Sequence, residues 1–556
     1  MSLLKVRTWA LVATLVALQA PVMFAVNGST PTKKARVDLQ IEQLEQTSSN
    51  NTVHVLVQTS GDVKQLGGKL RSKGIKVRRP LLKSGTFAID ISANDLTWLE
   101  GLDGVDSISV DAPVYSAPLA SEWLLSNGGG SGTLKKASDL RAQLGLTDSD
   151  PTGKGIGVAV IDSGIAPVDD LAANITAFFD FTQGQSGVAT RPVDGYGHGT
   201  HVAGLVAGSG GRSNGQYGGV APSARLVGLR VLDNSGGGST SDVIAALQFA
   251  TANRVALGID IINLSLGHPA FESALTDPLV QAVETASRAG IVVVVSAGNV
   301  GVNPQTGKVG YGGILVPGNA PSALTIASAK TQGTVDPNDD LIANYSSRGP
   351  TWIDGFAKPD FAVPGQNVVA PAAPGSFLAV TYPSLLVKDA YGLNSYMALS
   401  GTSMAAGVES GLVAVVLEAS RGKVLSLTGS PGRGLTANAI KGLSEYSAFT
   451  MHDANGVTYD RLTQGAGRVN GAGLLTLARS ANPTVPAGTP WLTSSVVPFT
   501  LIGGFTVPWS QQAVWGANIV WGESLISTNN IVWSENIVWG ENIVWGENIV
   551  WGENIV

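Results

Sequence analysis

The sequence predicts an α/β protein built on a doubly wound, mostly parallel sheet, with a small α+β unit ahead of it and a β-prone repeat behind it. Three observations carry that expectation. Continuous apolar runs recur at 156–161, 225–232, 259–264, 291–296 and 323–328, as strands buried on both faces require. Helix-like stretches fall between or beside them, at 198–207, 240–255 and 278–289, and strands alternating with helices imply parallel pairing. Charged residues make up only 14% of the chain and Gly supplies 70 of its 556 residues, a composition of tight packing and many turns rather than of disorder.

In chain order, residues 1–29 open with Lys5 and Arg7 and then run apolar from Trp9 to Val26. This is the pattern of a secretory signal peptide and predicts export; an uncleaved membrane anchor is the alternative, against which stand the shortness of the stretch and its break at Pro21. Residues 37–115 alternate strand (53–57), helix (63–73), strand (75–79), strand (87–91), helix (93–102) and strand (105–110). That order is ferredoxin-like. Residues 116–149 read as a linker and processing region around Asn127-Gly-Gly-Gly-Ser-Gly132. The main domain is expected over 150–480, followed by a Pro/Thr/Val-rich linker over 481–513.

The tail, 514–556, repeats a hexad of the form Asn536-Ile-Val-Trp-Gly-Glu541. An even period holds each position on one face of an extended chain, so self-association or contact with an envelope surface is expected of it. A low-complexity tail without a partner is the alternative. With a net charge of −6 and no basic cluster larger than a pair, nucleic acid is not expected as a partner. There are no cysteines and only five histidines, which removes thiolate chemistry and limits any imidazole base to His54, His198, His201, His268 or His452.

Four short motifs concentrate the chemistry. Val160-Ile-Asp-Ser-Gly164 ends a strand on Asp162, and Gly197-His-Gly-Thr-His-Val-Ala-Gly204 opens a helix on His198. Ser296-Ala-Gly-Asn299 ends another strand, and Gly401-Thr-Ser-Met-Ala405 places Ser403 at the start of an apolar helix over 404–420. Each has a plainer reading: a turn acid, a His198/His201 metal pair, a left-handed turn Asn, a helix cap. No Glu follows His198, so the metalloprotease motif lacks its base. Together the four supply an acid, a base, an amide donor and a nucleophile, the parts of acyl transfer. In a doubly wound sheet they belong at the carboxyl ends of the strands.

These motifs resemble those of the subtilases, the subtilisin-like serine peptidases, whose order is also Asp, His, Ser. The resemblance extends to Asn263-Leu-Ser-Leu-Gly267 and Lys358-Pro-Asp-Phe-Ala-Val-Pro-Gly365 and covers about 150–480. It implies a subtilisin-like sheet and a triad of Asp162, His198 and Ser403, with Asn299 in the oxyanion hole. Ser265, Leu266 and Gly267 would form the substrate-binding edge, and His201 would be structural. Residues 37–115 resemble the family's inhibitor-like propeptide, so the expected product is a secreted, self-processing zymogen acting on protein or peptide substrates, with that propeptide as intramolecular inhibitor. No cofactor is required for catalysis. Structural calcium is an expectation by resemblance only, and the nearest candidate, Asp336-Pro-Asn-Asp-Asp340, also reads as a solvated turn.

Two positions depart from the pattern: Gly407 stands where Pro is usual, and Glu409 lies in a helix expected to be buried. Two other function classes stay open on the motifs alone. One is a non-catalytic envelope or matrix protein with a vestigial peptidase domain; the other is an acyl transferase or esterase using the same triad.

Overall fold

The computed structural model describes residues 34–46, 51–81, 84–116, 140–185, 187–303, 306–428, 432, 434–484 and 492–511, with two short strands beyond them. The expected leader, most of the expected processing region and most of the repeat tail lie outside the described residues.

The first unit contains β1 (Arg36–Val37), β2 (Thr52–Gln58), β3 (Lys76–Leu81), β4 (Thr86–Ser92) and β5 (Ser107–Val110) in the sheet order β1-β5-β2-β4-β3. β2, β3, β4 and β5 pair antiparallel, in the order that a ferredoxin-like unit needs. Side chains alternate between two cores with the period of a strand. Val55, Val57, Phe87 and Ile89 face the unit's own helices. Leu56, Leu81 and Ala88 face the large domain and pack with Val243 and Leu247 of its Thr240–Leu257 helix. The unit's Val63–Ser72 helix begins where the Asp62 carboxylate accepts from the Lys64 and Gln65 amides, a standard N-cap.

β6 (Pro113–Ser116) carries the chain out of this unit. The large domain then contributes β7 (Gly157–Asp162), β8 (Ile175–Asp180), β9 (Val188–Ala189), β10 (Arg225–Arg230), β11 (Gly237–Ser239), β12 (Ile261–Leu264), β13 (Leu266–Gly267), β14 (Val292–Ser296), β15 (Leu324–Lys330), β16 (Leu341–Ile342) and β17 (Phe361–Pro364). Its main sheet runs β16-β15-β14-β12-β7-β10-β8-β9, with β17 also on β15. From β17 through β15, β14, β12, β7 and β10 to β8 the pairing is parallel. All five apolar runs therefore became parallel strands. Their residues divide by parity: Val158, Val160, Val292 and Val294 face one core, Ala159, Ile161, Val293 and Val295 the other. Helices His198–Ala207 and Thr402–Thr428 cover the first face; Thr240–Leu257 and Pro278–Arg288 cover the second.

The Thr402–Thr428 helix outlasts its expected end at residue 420. From Thr402 to Leu425 it is long and apolar enough to cross a membrane, yet 89% of its most apolar window is buried inside the domain. Gly407 faces the His198–Ala207 helix so closely that a Cβ there would lie 3.2 Å from the Val202 carbonyl oxygen. The residue expected to be Pro is thus a point of close helix approach.

Residues 499–508, inside the stretch expected as a linker, form a hairpin of Phe499–Ile502 and Phe505–Pro508. Ile502 and Val507 pack with Phe449, and Trp509 joins the main core. In the tail, Ile537–Trp539 and Ile543–Trp545 pair antiparallel.

Candidate active site

Parallel pairing in register brings the ends of neighbouring strands to one edge. Asp162 closes β7 opposite Arg230 of β10, and Ile161 lies opposite Leu264 of β12. The segments that leave this edge carry Asp162, Ser265 and Asn299. The Thr402–Thr428 helix starts at the same edge.

Asp162 and His198 are both fully buried. His198 Nδ1 lies 2.8 and 2.9 Å from the two Asp162 carboxylate oxygens, so Nδ1 donates and Nε2 is left to accept. Nε2 has no hydrogen-bond partner among the described residues. The Ser403 hydroxyl donates to the Ser265 carbonyl at 3.3 Å. A serine–imidazole bond is often loose before substrate binds.

Ser403 lies in the first turn of its helix, where backbone N–H groups lack intrahelical acceptors. Asn299 Oδ1 accepts from the Thr402 backbone N–H and hydroxyl, both at 3.0 Å. That fixes the carboxamide with its Nδ2 beside Gly401, where a Cβ would come within 3.2 Å of it. The donor end of Asn299 and the start of the Ser403 helix therefore face one region.

Ser265 is tied to the same helix, its hydroxyl donating to the Ser403 carbonyl at 3.0 Å and accepting from Asn263 Nδ2. Leu266 and Gly267, as β13, pair antiparallel with Ser116 and Tyr115 of β6. On its other edge β6 pairs with β11. The end of the first unit is thus the middle strand of a three-stranded sheet leading to Ser403.

Sequence reasoning missed Asp194. Its buried carboxylate accepts from the Gly197 and Tyr196 amides, the Thr200 amide and hydroxyl, and the Ser163 hydroxyl. Ser163 Oγ in turn accepts from the Gly199 amide. One carboxylate therefore clamps the strand end after Asp162 to the helix start at His198. The available signal was an acid just ahead of a helix N-terminus, where negative charge is favoured.

His201 stands apart from this site chemistry. Burial holds its pKa down to about 3, and its Nε2–H donates to the Met397 carbonyl at 3.0 Å. The charges of Lys358-Pro-Asp360 go to a buried cluster in which Asp360 meets both Lys358 and Lys441 at 2.9 Å. Among the described residues no three His, Asp or Glu side chains converge on a cation position. Asp336 accepts from the Asn338 backbone and side chain, Asp339 takes the Thr334 hydroxyl, and the buried Asp340 pairs with Arg468 at 2.9 Å.

An ordered acid and imidazole, a serine at a helix start and a strand edge that pairs with an extended segment are the parts that acyl transfer requires. A model of the subtilase family matches residues 153–470, and the chain belongs to that family. It is similar to the serine protease AprX of Bacillus subtilis (strain 168), 40% identical over 48% of this chain and 58% of the relative. It is also similar to a subtilisin of Bacillus sp. (strain TA39), 35% identical over 48% of this chain and 57% of the relative. Subtilisin DY of Bacillus licheniformis is 34% identical over 48% of this chain and 77% of the relative. The chain thus spans less than two thirds of the length of the first two. The crystal structure of fervidolysin from Fervidobacterium pennivorans, a keratinolytic enzyme related to subtilisin, superposes with a TM-score of 0.57. At 20% identity, over 82% of this chain and 64% of fervidolysin, that likeness bears on the fold alone.

Proposed function

We propose that the chain is an exported serine endopeptidase made as a zymogen, with Asp162, His198 and Ser403 as its triad. The observation that carries this reading is the seating of β6 as a product-like strand between β11 and β13, ending beside Ser403. A substrate added to the same edge would gain affinity through main-chain pairing. His198 Nε2 takes the Ser403 proton as Oγ bonds to the scissile carbonyl carbon. Asn299 Nδ2 and the Ser403 N–H receive the oxyanion. The C–N bond then breaks, His198 returns the proton to the leaving amine, and water repeats the sequence on the acyl-enzyme. Asp162 keeps the imidazole in the right tautomer throughout.

Residues 37–115 serve as folding partner and intramolecular inhibitor, with cleavage falling in 116–149 after the leader at 1–29 is removed. The test pairs fluorophosphonate labelling with processing. Wild type is labelled and cut within 116–149, whereas Ser403→Ala is unlabelled and accumulates as precursor. Equal processing of both purified proteins would exclude self-cleavage. Failure to label a folded wild type would favour a vestigial domain held at an envelope by the repeat tail. Mass analysis of a peptide digest separates hydrolysis from acyl transfer.

A further inference from the structure

The groove beside His198 has a wall that the motifs do not account for. Along β6, Val114 and Ser116 are buried while Tyr115, between them, is 54% exposed, so Val114 and Ser116 face the domain. Ser116 pairs with Leu266, one residue beyond the Ser265 carbonyl that Ser403 reaches. Ser116 therefore stands immediately upstream of the position in register with Ser265. On its far side the Ser116 N–H donates to the Gly236 carbonyl at 3.2 Å.

Tyr196 closes that side. A Cβ on Gly236 would come within 2.6 to 2.9 Å of Tyr196 ring carbons, so the ring lies against the Gly236 backbone. It stands 6.5 Å from the His198 ring. Phe377, from the loop between Pro371 and Tyr396, stacks on it with centroids 5.7 Å apart and planes at 18°. The loop is laced to the residues before His198: the Phe377 amide donates to the Gly195 carbonyl at 2.9 Å, and the Leu378 amide to the Tyr196 carbonyl at 3.1 Å. Gly197 completes the fit, since a Cβ there would meet Ser376 Oγ at 2.5 Å. The ring is held by its own backbone and by an aromatic neighbour, and swinging it aside would break that stacking.

Resting on the peptidase reading, we propose that Tyr196, buttressed by Phe377, is a specificity-determining residue that admits only small side chains at the substrate position held here by Ser116. On this reading Gly, Ala and Ser are accommodated beside the Tyr196 ring. Leu, Phe and Lys require the ring to move.

The test measures kcat/KM of the chain expressed in full and left to process itself, per fluorophosphonate-titrated site, on quenched peptides that differ only at this position. Ala and Ser peptides are expected to exceed Leu and Phe peptides at least tenfold. Tyr196→Ala is expected to compress that ratio to under threefold, and Phe377→Ala, which spares the ring but removes its support, to do so partly. A wild type that cleaves Leu and Ala peptides within twofold of each other overturns the inference while leaving the peptidase reading intact. So does an unchanged ratio in either variant. Absence of any label overturns both together.

Discussion

A serine at a helix start is ordinarily a cap, its oxygen accepting from a backbone N–H. Ser403 instead donates its hydroxyl to the Ser265 carbonyl, and its neighbourhood is organised by residues that hold rather than react. Asn299 is the clearest case. With Oδ1 taken by Thr402, only its amide nitrogen is presented as a donor. Asn299→Ala is expected to lower kcat by about 10²–10³ with little change in KM, a magnitude carried over from subtilisin itself. An unchanged kcat would remove Asn299 from the site. Glu409 is the opposite case. It is fully buried, and neither carboxylate oxygen has a hydrogen-bond partner among the described residues. Burial pushes its pKa well above the ordinary 4.5. A carboxyl raised in the folded state costs no ionisation below the unfolded pKa, and stability falls as pH rises through the window above it. Glu409→Leu, in a Ser403→Ala background that prevents autolysis, should therefore stabilise by about 1–3 kcal/mol. Its advantage in Tm should widen from pH 4.5 upward; a gap independent of pH would mean that the carboxyl ionises in the fold as readily as in the unfolded chain.

At the scale of elements, legibility followed locality. Asp162, His198 and Ser403 could be read because each sits in a contiguous motif at the end of a patterned strand or the start of a patterned helix. Asp194 and Tyr196 could not. Asp194 acts partly through Ser163, and Tyr196 through Gly236 and Phe377, partners that periodicity does not connect. The hairpin at 499–508 was missed for a related reason: its buried Ile502 and Val507 alternate over too few residues to stand out from a Pro-rich stretch. Asp194 tests whether the helix start matters to chemistry. Asp194→Ala leaves the Tyr196, Gly197 and Thr200 amides and two hydroxyls without their acceptor. A shift of the imidazole of the order of 1 Å would cost roughly 10²-fold in kcat, measured per titrated site so that unfolded protein is not counted. Retention of full kcat would make the clamp purely structural. Gly407 tests helix approach in turn. With the Val202 carbonyl 3.2 Å from a would-be Cβ, Gly407→Leu overpacks the joint between two core helices. The expected cost is about 1–3 kcal/mol, read as a lower denaturation midpoint in the Ser403→Ala background.

The whole molecule is two units joined across a surface rich in carboxylates. The first unit brings Asp38, Asp111, Arg36, Arg78 and Arg79; the large domain brings Asp242, His268, Glu272 and Asp277. Arg78 meets Asp111 and Arg79 meets Asp242, each at 2.8 Å. The Asp111 carboxylate also accepts from the Ser241 amide and hydroxyl at the start of the Thr240–Leu257 helix. Glu272 is less well provided. It takes the Thr276 hydroxyl on its own segment, and its nearest cation is the half-exposed Arg36 at 3.9 Å. Burial, with Asp277 and Asp38 nearby, pushes its pKa to about 7 from 4.5, and burial pushes Asp277 to about 6. Burial also lowers the His268 pKa, against the opposing pull of the Pro269 carbonyl, Asp111 and Asp38. Docking of the first unit thus favours bound protons on these carboxyls. The contribution of these carboxyls should be full below their ordinary pKa values and shrink as pH rises toward 7, by at most about tenfold per pH unit for each proton released. The two units should therefore hold together in acid and loosen on the alkaline side. The rate at which a fluorophosphonate labels Ser403 in the uncleaved chain reads this opening, and dividing it by the rate for Glu272→Gln cancels the intrinsic pH dependence of the serine. That ratio should be near one at about pH 5 and rise severalfold by about pH 8, because the variant has no charge to acquire. A ratio flat across that range would mean that Glu272 stays equally buried whether or not the first unit is docked.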